Sequence, residues 1–421
     1  VSRSDPSARR TITAPLLAAI LTVALLAAAC SGDEPAAPAP TAPPPPAATP
    51  VSATDQAAID ALGVDGRCDE LDAARCLLPF PSFRFTTPDP TTPTGVRVEL
   101  PEGQLTNVGG AALQVEPWRS LDGFSPGTPM LTLLGDVDLV ASGAPPIGDL
   151  ARSLDPDSAT VVLDLTTGER IPHWAELDAR APAGSRLLIL RAAVPLPEAH
   201  RIGVAVRGLV DATGRPVEPN VAFRAYRDAL TTSTPAVEER RSQMEELFAG
   251  LSIAGVDRAG LQQAWSFPVA SADALAGRML HIRDDAFDRL GDAAPSYTVD
   301  FVGGSDLPPG IGRRVVGRFD VPLYLTGDGS TGSTFQLGPD GLPATSGATY
   351  PARFTCQIPS EALDGGDPAE PVVYGHGLLG SATEANGTSV AAVAVANDDV
   401  YCATDWIGMS EQDFPTAVEI L

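Results

Sequence analysis

The stretch Pro371-Val372-Val373-Tyr374-Gly375-His376-Gly377-Leu378-Leu379-Gly380-Ser381 constrains this chain more than any other, because it reads as an apolar strand running through a glycine turn into a helix. The predicted helix covers 382–396, with Val390, Val393 and Val395 as its small apolar set, and a second strand follows at 399–405. Strand, helix and strand joined by short links make a right-handed βαβ unit of a parallel sheet. The turn also presents backbone N–H groups at a helix start, where their partial positive charge suits an oxyanion or a phosphate.

Upstream the fold class is different. Strands at 159–165, 187–190 and 202–206, with turns at Thr166-Thr167-Gly168 and Asp211-Ala212-Thr213-Gly214, predict a small β-sandwich over 155–225. Residues 55–154 read as a β-rich region whose ordered loops, Leu77-Leu78-Pro79-Phe80-Pro81 and Trp118 to Phe124, supply aromatic core anchors. Region 226–365 mixes helices and strands. Thr234-Pro235 supplies an N-cap and an N1 proline, and Val237, Met244, Leu247, Phe248 and Leu251 share one face. A second helix from Ala272 places Leu275, Met279, Ile282 and Leu290 inward and carries His281. Strands are expected at 297–301, 315–325 and 352–358. The Asp- and Gly-rich loop 327–341 lacks the residue order of a calcium loop and reads as a solvated hairpin loop. The βαβ region then occupies 366–421.

With 421 residues, 44% of them hydrophobic, the chain can fill about two to four domains. Fifty-three acidic residues against 28 basic ones give a net charge of −25, which repels polyanions and argues against a nucleic-acid partner. The sequence contains no lysine, so P-loop, Schiff-base, Ser–Lys and kinase chemistries that need one are excluded from these residues. Richness in Ala, Gly, Pro, Arg and Asp is that of a GC-rich bacterial gene, with Val1 read as an alternative start.

The N-terminal segment 1–30 is an address. Arg3, Arg9 and Arg10 precede an uncharged apolar run, and Leu26-Ala27-Ala28-Ala29-Cys30-Ser31 closes it. This ending resembles a bacterial lipobox. The resemblance implies a lipoprotein signal peptide, lipidation of Cys30 and a membrane-anchored protein on the extracytoplasmic face. A transmembrane anchor or an ordinary secretory signal are the alternatives. Residues 31–54, Pro/Ala-rich with Pro43-Pro44-Pro45-Pro46, read as a semi-extended tether. Cys68 and Cys76 then pair locally and Cys356 pairs with Cys402, the alternative for the second pair being free buried thiols. No spacing of cysteines and histidines suggests zinc, and no cofactor is implied.

Two chemistries compete for the glycine turn. Gly375-His376-Gly377-Leu378-Leu379-Gly380 is a G-x-G-x-x-G after a strand, with Asp405 where a ribose-binding carboxylate would be sought. Against this stand the exported compartment and the small amount of sheet available. The stretch from Tyr374 to Ser381 resembles the HG-type oxyanion loop after the third strand of α/β-hydrolases, especially bacterial lipases and esterases. That resemblance covers about 371–408 and implies that the Leu378 N–H donates to a tetrahedral oxyanion while His376 shapes the loop and Gly377 lets it turn. A purely structural glycine turn is the third reading. Residues 202–217 resemble the last hairpin of bacterial Ig-like surface modules, which implies spacing or display.

The departure from the hydrolase pattern is large. No Gly-x-Ser-x-Gly elbow occurs, Ser381 has no evident base, and His173, His200 and His281 lie in segments of other character. The expectation is a truncated gene product, without a triad of its own. The whole is expected to be multidomain: a β-rich, Ig-like N-terminal region with some helices, then the first βαβ unit of an α/β-hydrolase fold. Two function classes follow. One is a lipid-anchored serine esterase or lipase acting on a small ester or lipid; the other is a non-catalytic surface lipoprotein whose β modules bind or display.

Overall fold

The computed structural model describes residues 42–363, 368–408 and 410–420. Cys30, the segment 1–30 expected as a signal peptide and the expected tether as far as residue 41 lie outside the described residues. The last part of the expected tether is structured. Thr49–Pro50 pairs in parallel with Leu230–Thr231. Ser52 caps helix α1 (Ala53–Asp60) by accepting the Asp55 N–H at 3.0 Å, so a local Ser-x-x-Asp signal outweighs the Pro/Ala composition around it.

Two antiparallel three-stranded sheets follow. Strands β1 (Met130–Thr132), β2 (Thr160–Asp164), β3 (His173–Leu177), β4 (Leu188–Ala192), β5 (Arg201–Arg207) and β6 (Leu261–Pro268) pair in the orders β1-β4-β3 and β6-β5-β2. Helices α2 (Val221–Arg227) and α3 (Pro235–Ile253) lie between β5 and β6 in sequence. All eight residues of β6 and the five central residues of β5 are buried, as expected of strands covered on both faces. Helix α3 covers β5: a Cβ on Gly250 would stand 2.7 Å from the Leu165 side chain, and one on Gly203 3.0 Å from Leu247.

One hydrophobic core runs from Ile59 to Val269 and contains Trp265, Tyr226, Phe85, Phe223 and Phe267 as its largest fully buried side chains. The residues expected as a separate sandwich at 155–225 therefore share their core with elements on both sides. The reason is pairing at long range, since β5 takes β6 as its neighbour and β4 takes β1. Phe80, Phe124 and Phe267 pack edge to face, which places the aromatics of the two expected loops in this core. The α3 face Val237, Met244, Leu247, Phe248 and Leu251 is buried against it.

Beyond Ser271 the packing changes. A π-turn (Asp273–Gly277) leads into helix α4 (Arg278–Leu290), on which no residue is buried. The sequence places Leu275 and Met279 inward; in the structure they are exposed, Met279 to 60%. An apolar periodicity marks one side of a helix but does not say that anything covers it.

Strands β7 (Tyr297–Gly303), β8 (Ile311–Pro322), β9 (Thr349–Pro359), β10 (Pro371–Tyr374) and β11 (Val400–Thr404) form a second structure, a five-stranded sheet in the order β7-β8-β9-β11-β10. Its first three pairings are antiparallel and β11·β10 is parallel. Val315, Cys356, Cys402 and Val373 stand in one cross-strand row, and Cys356 and Cys402 are joined by a disulfide. A second disulfide joins Cys68 to Cys76.

The expected helix at 382–396 is two elements. A 3-10 turn (Ala382–Asn386) is separated by extended Gly387 from helix α5 (Thr388–Asn397). Inward packing is by alanines: Ala382 and Ala385 against Ala403 and Tyr374, and Ala391 and Ala394 against Ile311. Val393 is exposed, and Val395, 36% exposed, lies over Gly310, where a Cβ would stand 2.7 Å from it. Among the described residues no helix is long and apolar enough to cross a membrane.

Candidate functional site

Strand β10 ends at Tyr374, and the chain turns at once beneath the end of β11. Gly375 leaves room for the Trp406 ring, since a Cβ there would lie 3.0 Å from it. His376 is buried, with its ring centroid 5.2 Å from that of Trp406. Its Nε2 accepts the Trp406 N–H at 3.2 Å and its Nδ1 faces the Gly377 carbonyl at 2.8 Å. These two bonds require an unprotonated Nε2 and a proton on Nδ1, so the ring is neutral and fixed in one tautomer.

Three groups then set the turn. The Gly377 N–H donates to Glu384 Oε2 at 2.9 Å, and the Gly380 N–H donates to the Gly377 carbonyl at 2.9 Å. A Cβ on Gly380 would stand 1.8 Å from Glu384 Oε1, so the carboxylate occupies the space a side chain would need. Leu379 is held at φ 56°, a left-handed conformation uncommon for leucine. Between them Leu378 is 74% exposed, and its N–H meets no acceptor among the described residues.

What the turn offers is backbone N–H without an acceptor among the described residues, at Leu378 and at Leu379. It is not backed by an α-helix N-terminus, because the 3-10 turn and Gly387 intervene before α5 begins. The expectation of helix-dipole assistance is corrected accordingly. Ser381 is buried and its Oγ bonds Thr383 Oγ1 at 2.7 Å, so its hydroxyl is directed to a neighbour on the same turn. Asp405 Oδ1 accepts the Ala382 N–H at 2.8 Å and ties the end of β11 to that turn.

The remaining histidines belong to other parts of the chain. His173 is buried between Thr160 Oγ1 at 2.8 Å and the Ile171 carbonyl at 2.9 Å, and burial holds its pKa down at about 4. His200 Nδ1 lies 2.7 Å from Asp164 Oδ2. Burial works against the Asp164 charge, but the bonds from His200, Thr166 and Thr167 outweigh it and lower its pKa. This acid–imidazole pair was not anticipated; among the described residues no hydroxyl completes it. His281 lies on α4, away from any of these groups.

A buried ion cluster also escaped the sequence. Asp69 and Glu70, fully buried inside the Cys68–Cys76 loop, both accept from Arg240 Nη1 of α3, at 2.7 and 3.0 Å. The Tyr226 hydroxyl donates to Glu70 at 2.7 Å and Ser82 Oγ to Asp69 at 2.7 Å. Burial raises the pKa of Asp69; for Glu70 the opposing pull of Arg240, Arg84 and Tyr226 prevails and lowers it. Two adjacent acids between cysteines were the available signal, but nothing in the sequence points to Arg240. Among the described residues no group of three His, Cys, Asp or Glu side chains is placed to hold a metal ion.

The chain matches no protein-family model, no curated protein and no solved structure.

Proposed function

We propose that residues 297–421 are the leading part of an α/β-hydrolase sheet and that the Gly375–Ser381 turn is the oxyanion-side loop of a serine esterase or lipase. The observation that carries this reading is the parallel β10·β11 pair: the turn leaves the end of β10, and the chain returns through α5 to β11 beside it. The preceding strands support it, because three antiparallel pairings lead into that parallel pair within one sheet. In this reading the Leu378 N–H is one donor to the tetrahedral oxyanion, the neutral His376 ring fixes the turn through Trp406 and Gly377, and Gly377 and Gly380 make room for Glu384.

The nucleophile, its base and the second oxyanion donor are not supplied by these residues. Hydrolysis of an acyl ester belongs to a protein that adds them to this turn. The body at 59–269, including the Ig-like stretch, serves as an accessory or display module anchored to the membrane through lipidated Cys30. The two disulfides support an oxidising, extracytoplasmic location.

A fluorophosphonate probe applied to cells making the complete gene product tests both parts. The expected result is a covalently labelled serine in the membrane fraction, moving to the soluble fraction with Cys30→Ser. A complete gene product that takes no label would overturn the hydrolase reading.

A further inference from the structure

Arg318 of β8 and Arg353 of β9 stand directly opposite each other in the antiparallel register. Like charges in that relation cost free energy unless something neutralises them. Arg318 is partly compensated, its Nε lying 3.2 Å from Asp300 Oδ2. The Arg353 guanidinium has no ion pair or hydrogen bond among the described residues, although its backbone carbonyl accepts from Thr404 Oγ1.

Both arginines line a cavity of about 220 Å³ beyond the end of β11, walled by Tyr350 and Trp406. Asp405 and Asp413 also line it, and both carboxylates are already bonded to the backbone. Asp405 accepts the Ala382 N–H; Asp413 accepts the Gly408 and Ser410 N–H groups and the Ser410 hydroxyl. Asp405 Oδ2 and Asp413 Oδ1 accept no bond among the described residues, so the polar capacity left in the cavity is those two oxygens and the guanidinium N–H groups of Arg318 and Arg353. The cavity abuts the glycine turn twice, since Trp406 is the residue that packs on His376 and Ser410 bridges Gly380.

We propose that this cavity binds the carboxylate or phosphate group of a small molecule, held between Arg318 and Arg353 with Trp406 against its apolar part. An anion accepting from both guanidinium forks turns the repulsion between them into two charge-assisted pairs. Placing the anion beside the turn makes it a substrate group, and that step alone rests on the hydrolase reading; the esters acted on would then carry a negative charge remote from the scissile bond. The molecule's net charge of −25 opposes anions at long range, so the affinity for an isolated anion is weak, with a Kd of about 1 mM.

Isothermal titration of the folded chain with succinate and, separately, with inorganic phosphate tests this. Heat of binding with succinate alone assigns a carboxylate, and with phosphate alone a phosphate; either supports the site. Arg353→Gln and Arg318→Gln should each weaken binding by about tenfold or more, Arg353→Lys less, and Arg67→Gln, on a distant exposed side chain, not at all. Both cavity arginines are exposed, so these variants keep the fold, which an unchanged urea midpoint checks. Binding of neither anion to the wild-type chain, or undiminished binding to both Gln variants, overturns the proposal. The titration needs no nucleophile. Its failure leaves the hydrolase reading standing, and failure of serine labelling leaves this site standing.

Discussion

The body at 59–269 and the sheet at 297–404 solve burial in opposite ways. The body closes on itself: Trp265, Tyr226 and four or more other large side chains are fully buried, and even its charges are internal, as at Asp69, Glu70 and Arg240. The sheet is covered mainly by alanines, from the 3-10 turn and α5, and keeps Val373 85% exposed on its outermost parallel strand. Alanine removes little apolar area per residue, so that contact contributes much less than the body's core. The difference teaches where rigidity comes from. The glycine turn is held less by packing than by a few directed bonds, from Glu384, Asp405 and Trp406.

The largest expected effect lies in the body. Arg240→Met removes the cation that Asp69 and Glu70 share, leaving buried Asp69 with no cation and buried Glu70 with only Arg84, at 3.9 Å. Breaking a buried ion pair from one side costs about 3–5 kcal/mol, so urea unfolding followed by tryptophan fluorescence should show a loss of that order. A loss no greater than that of a surface substitution would mean that the body is not organised around this cluster. The triple replacement Asp69→Asn, Glu70→Gln, Arg240→Met should recover part of the loss, because the two buried carboxylates are then gone and only Arg84 loses an ion-pair partner.

A smaller effect separates the regions by pH. His173 has a folded pKa of about 4 against 6.5 for the free side chain, because burial disfavours its charged form. The unfolded chain therefore takes up a proton at a higher pH than the folded one. Its contribution is complete above the unfolded value, is lost as pH falls from there towards the folded value, and is constant below it. Between pH 7.5 and 4.5 the loss is about 2–3 kcal/mol. The body of His173→Gln, whose amide cannot titrate, should lose less over the same interval than the wild type, and the difference cancels the carboxylates common to both. Equal pH slopes would show that the buried ring does not govern acid sensitivity.

What the sequence disclosed follows the same division. The α3 face was legible because five large apolar residues recur at helical spacing, and the strands on either side of the glycine turn were legible as apolar runs bounded by glycine and aspartate. The covering of the sheet was not. Alanines at 382, 385, 391 and 394 carry almost no periodic signal, so the larger Val390, Val393 and Val395 stand out as the helix's apolar set although the buried contacts are made by the alanines. Gly387 was hidden as a helix break because a lone glycine in an apolar helical pattern is tolerated. At the turn, the glycines marked where the backbone changes direction, closed by the Gly380 N–H on the Gly377 carbonyl. Glu384 did not stand out, since an acid at the third position of a predicted helix reads as a solvated side chain. Arg240 was invisible for another reason: its partner Asp69 is 171 residues away in the chain.

Glu384 supplies the smallest and most local test. Gly380→Ala would bring a Cβ within 1.8 Å of Glu384 Oε1, and the carboxylate, at the end of a side chain with several rotatable bonds, can swing away. The cost to global stability is therefore slight. The Gly377 N–H, however, loses its acceptor, and a hydrogen bond of about 1 kcal/mol corresponds to roughly a fivefold faster amide exchange at that position. Glu384→Ala should produce the same acceleration without any new side chain at 380, while the amides of β6 in the body stay as protected as before. If Gly380→Ala speeds exchange at Gly377 and Glu384→Ala does not, the backbone alone holds the turn. If neither does, the turn is as firmly packed as the body, and the contrast between the two regions fails at the residues where it matters most.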